Sequence, residues 1–270
     1  MSPSEVFLAA IADETRPVVH GRVVLVVAHP DDEALACGAL LPRLADCTIV
    51  HVTDGAPRGG EDAARHGFAT PAAYAAARAG ELADALDLAG IPSKRRIGLG
   101  IADQGVAEDL AGIARRLGPI LAGAEIVLTH AYEGGHPDHD GTAFAVAAAV
   151  ALMPEPRPGI VEMPFYRADP HGDAWIRQSF AADGPEPVIL HLTAAERDVK
   201  ARMLAAHLTQ KDTLDGFGIA DEAFRPAPAY DFAEPPHGGI ALYDRYGWGM
   251  TSARFCGLAA AARQDLGLAP

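Results

Sequence analysis

Apolar positions along this chain fall into two kinds of run. Residues 22–28 (RVVLVVA) are apolar without alternation, the mark of a parallel strand covered on both faces. Comparable runs at 47–53 (CTIVHVT), 125–131 (EIVLTHA), about 159–165 and 187–192 (PVILHL) predict further strands, with a short one in RRIGLGI at 95–101. Between them the spacing is helical, over about 33–44, 72–89, 107–121 and 142–153. Gly90 and Pro92 stop the second of these helices. Thr193 and Glu196 form a capping box that opens another, running to about Leu208. The Gly-rich polar stretch 55–70 reads as a loop.

Strand and helix therefore alternate through the first two-thirds of the chain. That order predicts an α/β fold with a mostly parallel, doubly wound sheet. Residues 211–270 break the rhythm: FRPAPAYDFAEPPHGG is rich in proline and is expected to wrap the surface before a last short helix. With no repeat and no low-complexity linker, the expectation is one domain over 1–270, with a core at about 20–210 and a C-terminal extension from about 211.

Composition narrows the function classes. The formal net charge of −14 argues against nucleic acid or an anionic membrane as partner. No apolar stretch is long enough for a bilayer span, and the first residues lack a basic leader with an apolar core, so a cytoplasmic location is expected. Cys37, Cys47 and Cys256 are odd in number and lack metal spacing, as buried thiols in a reducing compartment would be.

The chemistry sits where strands end. His29-Pro30-Asp31-Asp32-Glu33 follows the first strand, and His136-Pro137-Asp138-His139 follows the strand at 125–131. Three adjacent carboxylates repel one another unless something positive sits among them. Acids in a first helical turn are also ordinary caps, and a lone histidine at a strand end is usually structural. Two such motifs at equivalent strand ends point beyond capping, because ligands of doubly wound sheets collect there. Imidazole plus carboxylate suits zinc, with three protein ligands and one position left for water; His29, Asp32 and His139 supply that set. Glu33 is assigned to capping or support. A dinucleotide site is disfavoured, since carboxylates would repel a pyrophosphate.

AHPDDE with a downstream HPDH resembles the PIG-L/LmbE family of zinc-dependent N-deacetylases, loosely through residues 22–210 and including TDGAPRGG after the second strand. The resemblance implies a Rossmann-like three-layer fold and an N-acetylglucosamine-type substrate or its conjugate. It implies one zinc ion per chain, with ferrous iron as alternative, on His29, Asp32 and His139. It implies Asp31 as general base and His136 as the group that polarises the substrate carbonyl. Asp138 is then expected to hydrogen-bond His136 and keep it charged, or else to cap the following helix. The substrate-binding arginine falls on Arg78, with Arg58 as alternative. Among weaker candidates, Asp103 and Gln104 could face the same cleft, and Phe165, Tyr166 and Trp175 could wall it.

Two rival functions stand beside this one. A magnesium phosphoesterase is disfavoured by two imidazole ligands. A non-catalytic metal-assisted binding protein has no need of the spare carboxylate of Asp31. The oligomeric state is left open.

Overall fold

In the computed structural model, which describes every residue except 172, 183, 239–240, 247–248 and 269–270, the run after residue 18 forms strand β1 (Val19–Val27). Its side chains alternate between two separate apolar cores. Val23, Leu25 and Val27 enter one, while Val24 and Val26 enter the other. A strand apolar on both faces is thus covered on both faces, which is why the chain builds three layers.

The remaining strands of the main sheet are β2 (Leu44–Pro57), β3 (Arg96–Asp103), β4 (Ile126–His130), β5 (Gly159–Met163), β8 (Val188–His191) and β9 (Asp221–Pro226). Their order across the seven-stranded sheet is β3-β2-β1-β4-β5-β9-β8. Pairings among the first five are parallel, and β9 pairs antiparallel with both β5 and β8. A separate two-stranded hairpin joins β6 (Tyr166–Ala168) to β7 (Trp175–Arg177).

Helices α1 (Pro3–Ala12), α2 (Asp32–Cys37), α4 (Pro71–Leu88) and α7 (Ala194–Ala206) feed the core that holds Leu25, through Phe7, Leu35, Leu86 and Met203. Helices α5 (Leu110–Leu121), α6 (Pro137–Ala151) and α10 (Ser252–Asp265) feed the other, through Leu117, Phe144 and Phe255. Short helices α3 (Glu61–Arg65), α8 (Lys211–Leu214) and α9 (Leu242–Tyr246) complete the set. None is long and apolar enough to cross a membrane among the described residues.

Several expectations need correction. The stretch 55–70 is not one loop: β2 runs on to Pro57, and α3 follows. Helix α2 ends at Cys37, six residues long, and Pro42 opens a separate 3-10 turn over Leu41–Arg43. Helix α6 starts at Pro137 rather than near 142, because proline is preformed for the first helical position. The tail does more than wrap the surface. Its segment β9 is hydrogen-bonded into the sheet, where Phe224 is fully buried. Six residues ending in proline carry little strand signal of their own; the neighbours β5 and β8 decide it.

The strand order reverses between β1 and β4. Chains leaving their carboxyl ends diverge there and open a crevice, the place where doubly wound sheets bind ligands. The two histidine motifs follow those two strands.

Candidate active site

Both motifs enter short-range geometry at once. His29 and Asp32 lie just past β1, with Asp32 opening α2; His139 lies in the first turn of α6. His29 Nδ1 is 3.2 Å from His139 Nε2 and 3.4 Å from Asp32 Oδ2, and His139 Nε2 is 3.4 Å from Asp32 Oδ1. Bonds of about 2.0–2.1 Å in a tetrahedral zinc site put neighbouring donors about 3.3–3.4 Å apart. The two imidazole nitrogens stand near that spacing, while the Asp32 distances run to its two different oxygens; one ligand atom from each residue lies within 4.8 Å of the others, so the residues fit a small divalent ion.

The imidazole of His29 is oriented from behind. Its Nε2 lies 3.3 Å from both Asp138 Oδ2 and Asp103 Oδ1. A proton held on Nε2 by these acids leaves the Nδ1 lone pair facing Asp32 and His139, the arrangement in which carboxylates fix a ligating histidine. His130 backs Asp32 at 3.5 Å and stacks on His139 with ring centroids 4.1 Å apart. Burial alone would raise the Asp32 carboxyl, but His139 and His130 hold it well below the usual range.

Asp31 is separate from this cluster. Its carboxylate meets Arg78 Nη2 at 3.0 Å, and no side-chain cap to the helix is made, so the capping explanation fails here. Burial, opposed by Arg78, pushes its carboxyl up to about 6. The backbone of Asp31 has φ 136°, a strained value for a residue with a side chain. Arg78 is 3% exposed and also donates to the carbonyls of Pro30 and Gly55. Gly55, at φ +69°, is needed there, since any Cβ would collide with the guanidinium.

His136 caps α6: its Nδ1 accepts the Asp138 N–H at 3.1 Å. That corrects two expectations about Asp138. Its carboxylate accepts from the backbone N–H groups of Gln104 and Val106, at 2.6 and 3.1 Å, and faces His29. Its observed link to His136 is through the main chain, so it neither caps α6 with its side chain nor holds His136 charged by its carboxylate. An Nδ1 that accepts a hydrogen bond leaves a neutral ring with its proton on Nε2, and burial together with His29 lowers the His136 pKa well below the ordinary value.

These groups floor a cleft of about 570 Å³, within the usual range for small-molecule sites. Tyr166 and Trp175 wall it, as anticipated, whereas Phe165 is fully buried beneath His130 and His139. Asp103 and Gln104 also line the cleft; Asp103 approaches Arg78 and His136, each at 4.0 Å. Arg58 does not line it and pairs with Asp54 instead. His66 and Gln210 line the cleft without having been marked in the sequence. Nothing local singles them out, since they arrive just past α3 and on the turn before α8.

The family model described as "PIG-L: GlcNAc-PI de-N-acetylase" matches residues 24–150, the segment that carries both motifs. The probable N-acetyl-alpha-D-glucosaminyl L-malate deacetylase 2 of Bacillus cereus is 29% identical over 202 residues, 72% of this chain and 85% of the relative. Among solved structures, the A40926 pseudoaglycone deacetylase aligns over 78% of this chain and 100% of its own, at 20% identity and TM-score 0.59. The N,N'-diacetylchitobiose deacetylase of Pyrococcus horikoshii aligns over 83% and 92%, at 18% identity and TM-score 0.51. At such identities the structural matches speak for the fold, a mostly parallel sheet between helical layers. Over the segment that carries both motifs the chain is similar to the PIG-L family, and its fold is that of the two deacetylases just named.

Proposed function

We propose that this protein is a metal-dependent deacetylase that removes the N-acetyl group from an N-acetylglucosamine-type amino sugar or its conjugate. One observation carries the reading: His29, Asp32 and His139, whose ligand atoms lie within 4.8 Å of one another, beside a buried carboxylate that is not needed to hold the ion. The similarity to the probable N-acetyl-alpha-D-glucosaminyl L-malate deacetylase 2 of Bacillus cereus supports the same bond being broken.

A divalent ion bound by those three side chains would lower the pKa of a coordinated water toward about 7 and polarise the amide oxygen. The remaining work falls to the chain. Asp31 takes the proton from the attacking water, being a base poised near neutrality by burial. It then returns that proton to the departing amine nitrogen, so the proton balance closes within the site. Arg78 holds the Asp31 carboxylate in place. The neutral His136 ring offers Nε2–H to the oxygen that becomes negative in the tetrahedral intermediate. Asp138 keeps His29 aimed at the ion, a different task from the one its sequence position suggested. Asp103 and the wall of Tyr166 and Trp175 are placed to meet sugar hydroxyls and the ring face.

The test is release of acetate and a free amine from a panel of N-acetylated glucosamine conjugates, with the zinc-loaded, iron-loaded and chelated protein. Turnover by the chelated protein, or none by either loaded form on any conjugate, would rule the proposal out.

A further inference from the structure

We infer that Glu33, clamped between His51 and His207, is a positioning residue that holds the Asp31 main chain in its strained conformation and so fixes where the Asp31 carboxylate points. The inference rests on the reading of Asp31 as the base. Glu33 is fully buried, and the reaction as described gives it nothing to do.

The geometry runs outward from one oxygen. Glu33 Oε2 accepts the Asp31 N–H at 3.0 Å and lies 3.0 Å from His51 Nε2. Its other oxygen, Oε1, lies 3.3 Å from His207 Nε2. His51 is fixed on β2 and His207 ends α7, so the carboxylate is held from two elements that do not otherwise belong to the motif. A carboxylate wholly removed from water is expensive without such partners. It is placed where it reaches two residues back to the amide of the one strained non-glycine residue of the motif.

Glu33 reaches back to the N–H of the N-cap residue as the carboxylate of a capping box does, but here it is fully buried and gripped by two histidines from other elements. The amide belongs to Asp31, at φ 136°, where a residue with a Cβ is held only at a cost in strain. Without the Glu33 acceptor the Asp31 amide would be buried and unpaired, and the peptide is free to turn toward ordinary φ. The Asp31 carboxylate would swing with it, away from the water it must deprotonate, while Asp32, His29 and His139 keep their spacing.

The experiment uses the full chain loaded with zinc, with Glu33→Ala and His207→Gln made singly and together. Expected are unchanged metal stoichiometry, a KM within about twofold, and a kcat lowered by about tenfold to a hundredfold, the scale of a 1 Å misplacement. The double variant is expected to fall no further than the worse single one, because both act through Asp31. Crystal structures supply a readout independent of any substrate: Asp31 φ moves out of the positive region in Glu33→Ala. The inference is overturned by wild-type kcat in Glu33→Ala, by activity that merely tracks lost metal or lost fold, or by an Asp31 backbone that stays put. If the wild-type protein releases no acetate while Asp31 still relaxes, the positioning stands and only the deacetylase reading fails.

Discussion

Arg78 Nη2 lies 3.0 Å from Asp31 Oδ2, across a sequence separation of forty-seven residues. The long helix α4 supplies the arginine and the end of β1 supplies the acid, so neither element alone contains the pair. Since Arg78 stabilises the ionised carboxylate, its loss makes Asp31 a weaker acid. In Arg78→Met the acidic limb of the kcat/KM profile is expected to shift to higher pH, measured with a saturating metal supply. Gly55→Ala should move the limb the same way, because its Cβ displaces the guanidinium. An unshifted limb in both would disconnect Arg78 from the base.

The wild-type profile itself follows from Asp31. A base must be ionised to act, and burial pushes this carboxyl up to about 6. Activity is therefore expected to rise with pH through about 6 and to be lost below it. A profile flat down to pH 4, where a metal-loaded protein is still folded, would be inconsistent with that role.

The two adjacent aspartates should separate in their effects. Asp32→Ala removes one of three donors and is expected to abolish stoichiometric zinc binding. Asp31→Asn leaves the donors intact and should keep the metal, while turnover falls by about a hundredfold to ten-thousandfold. Metal analysis beside an amine assay decides it; equal metal loss in both variants contradicts the division of roles.

Chelation should lower stability as well as activity. An ion that binds only the folded state adds about 2.7 kcal/mol at a hundredfold excess over its dissociation constant. The thermal midpoint of the chelated protein is expected to fall accordingly and to recover on adding zinc. No change in midpoint would mean that the three donors hold nothing in solution.

Outside the cleft lining, Lys200 on α7 and Glu222 on β9 form a fully buried ion pair at 3.1 Å, and Glu222 also accepts the N–H groups of Ala39 and Leu40. Lys200→Met leaves that carboxylate without its counter-charge and should destabilise the fold by about 3–5 kcal/mol in chemical denaturation. A loss below about 1 kcal/mol would show the pair to be dispensable.

The sequence by itself determined the layered α/β architecture, because continuous apolar runs have to be covered on both faces, as Val23 and Val24 are. It also determined the two motifs, since His29 with Asp32 and His136 with His139 are local spacings at strand ends. What the tertiary structure decided are the pairings between distant elements. Only packing could bring Arg78 to Asp31 rather than Arg58, turn Asp138 toward His29 rather than His136, set His51 and His207 around Glu33, and thread β9 between β5 and β8. Hydrophobic period is written in neighbouring residues, but the partner of a buried charge is whichever group the fold delivers to it, and no local pattern encodes that.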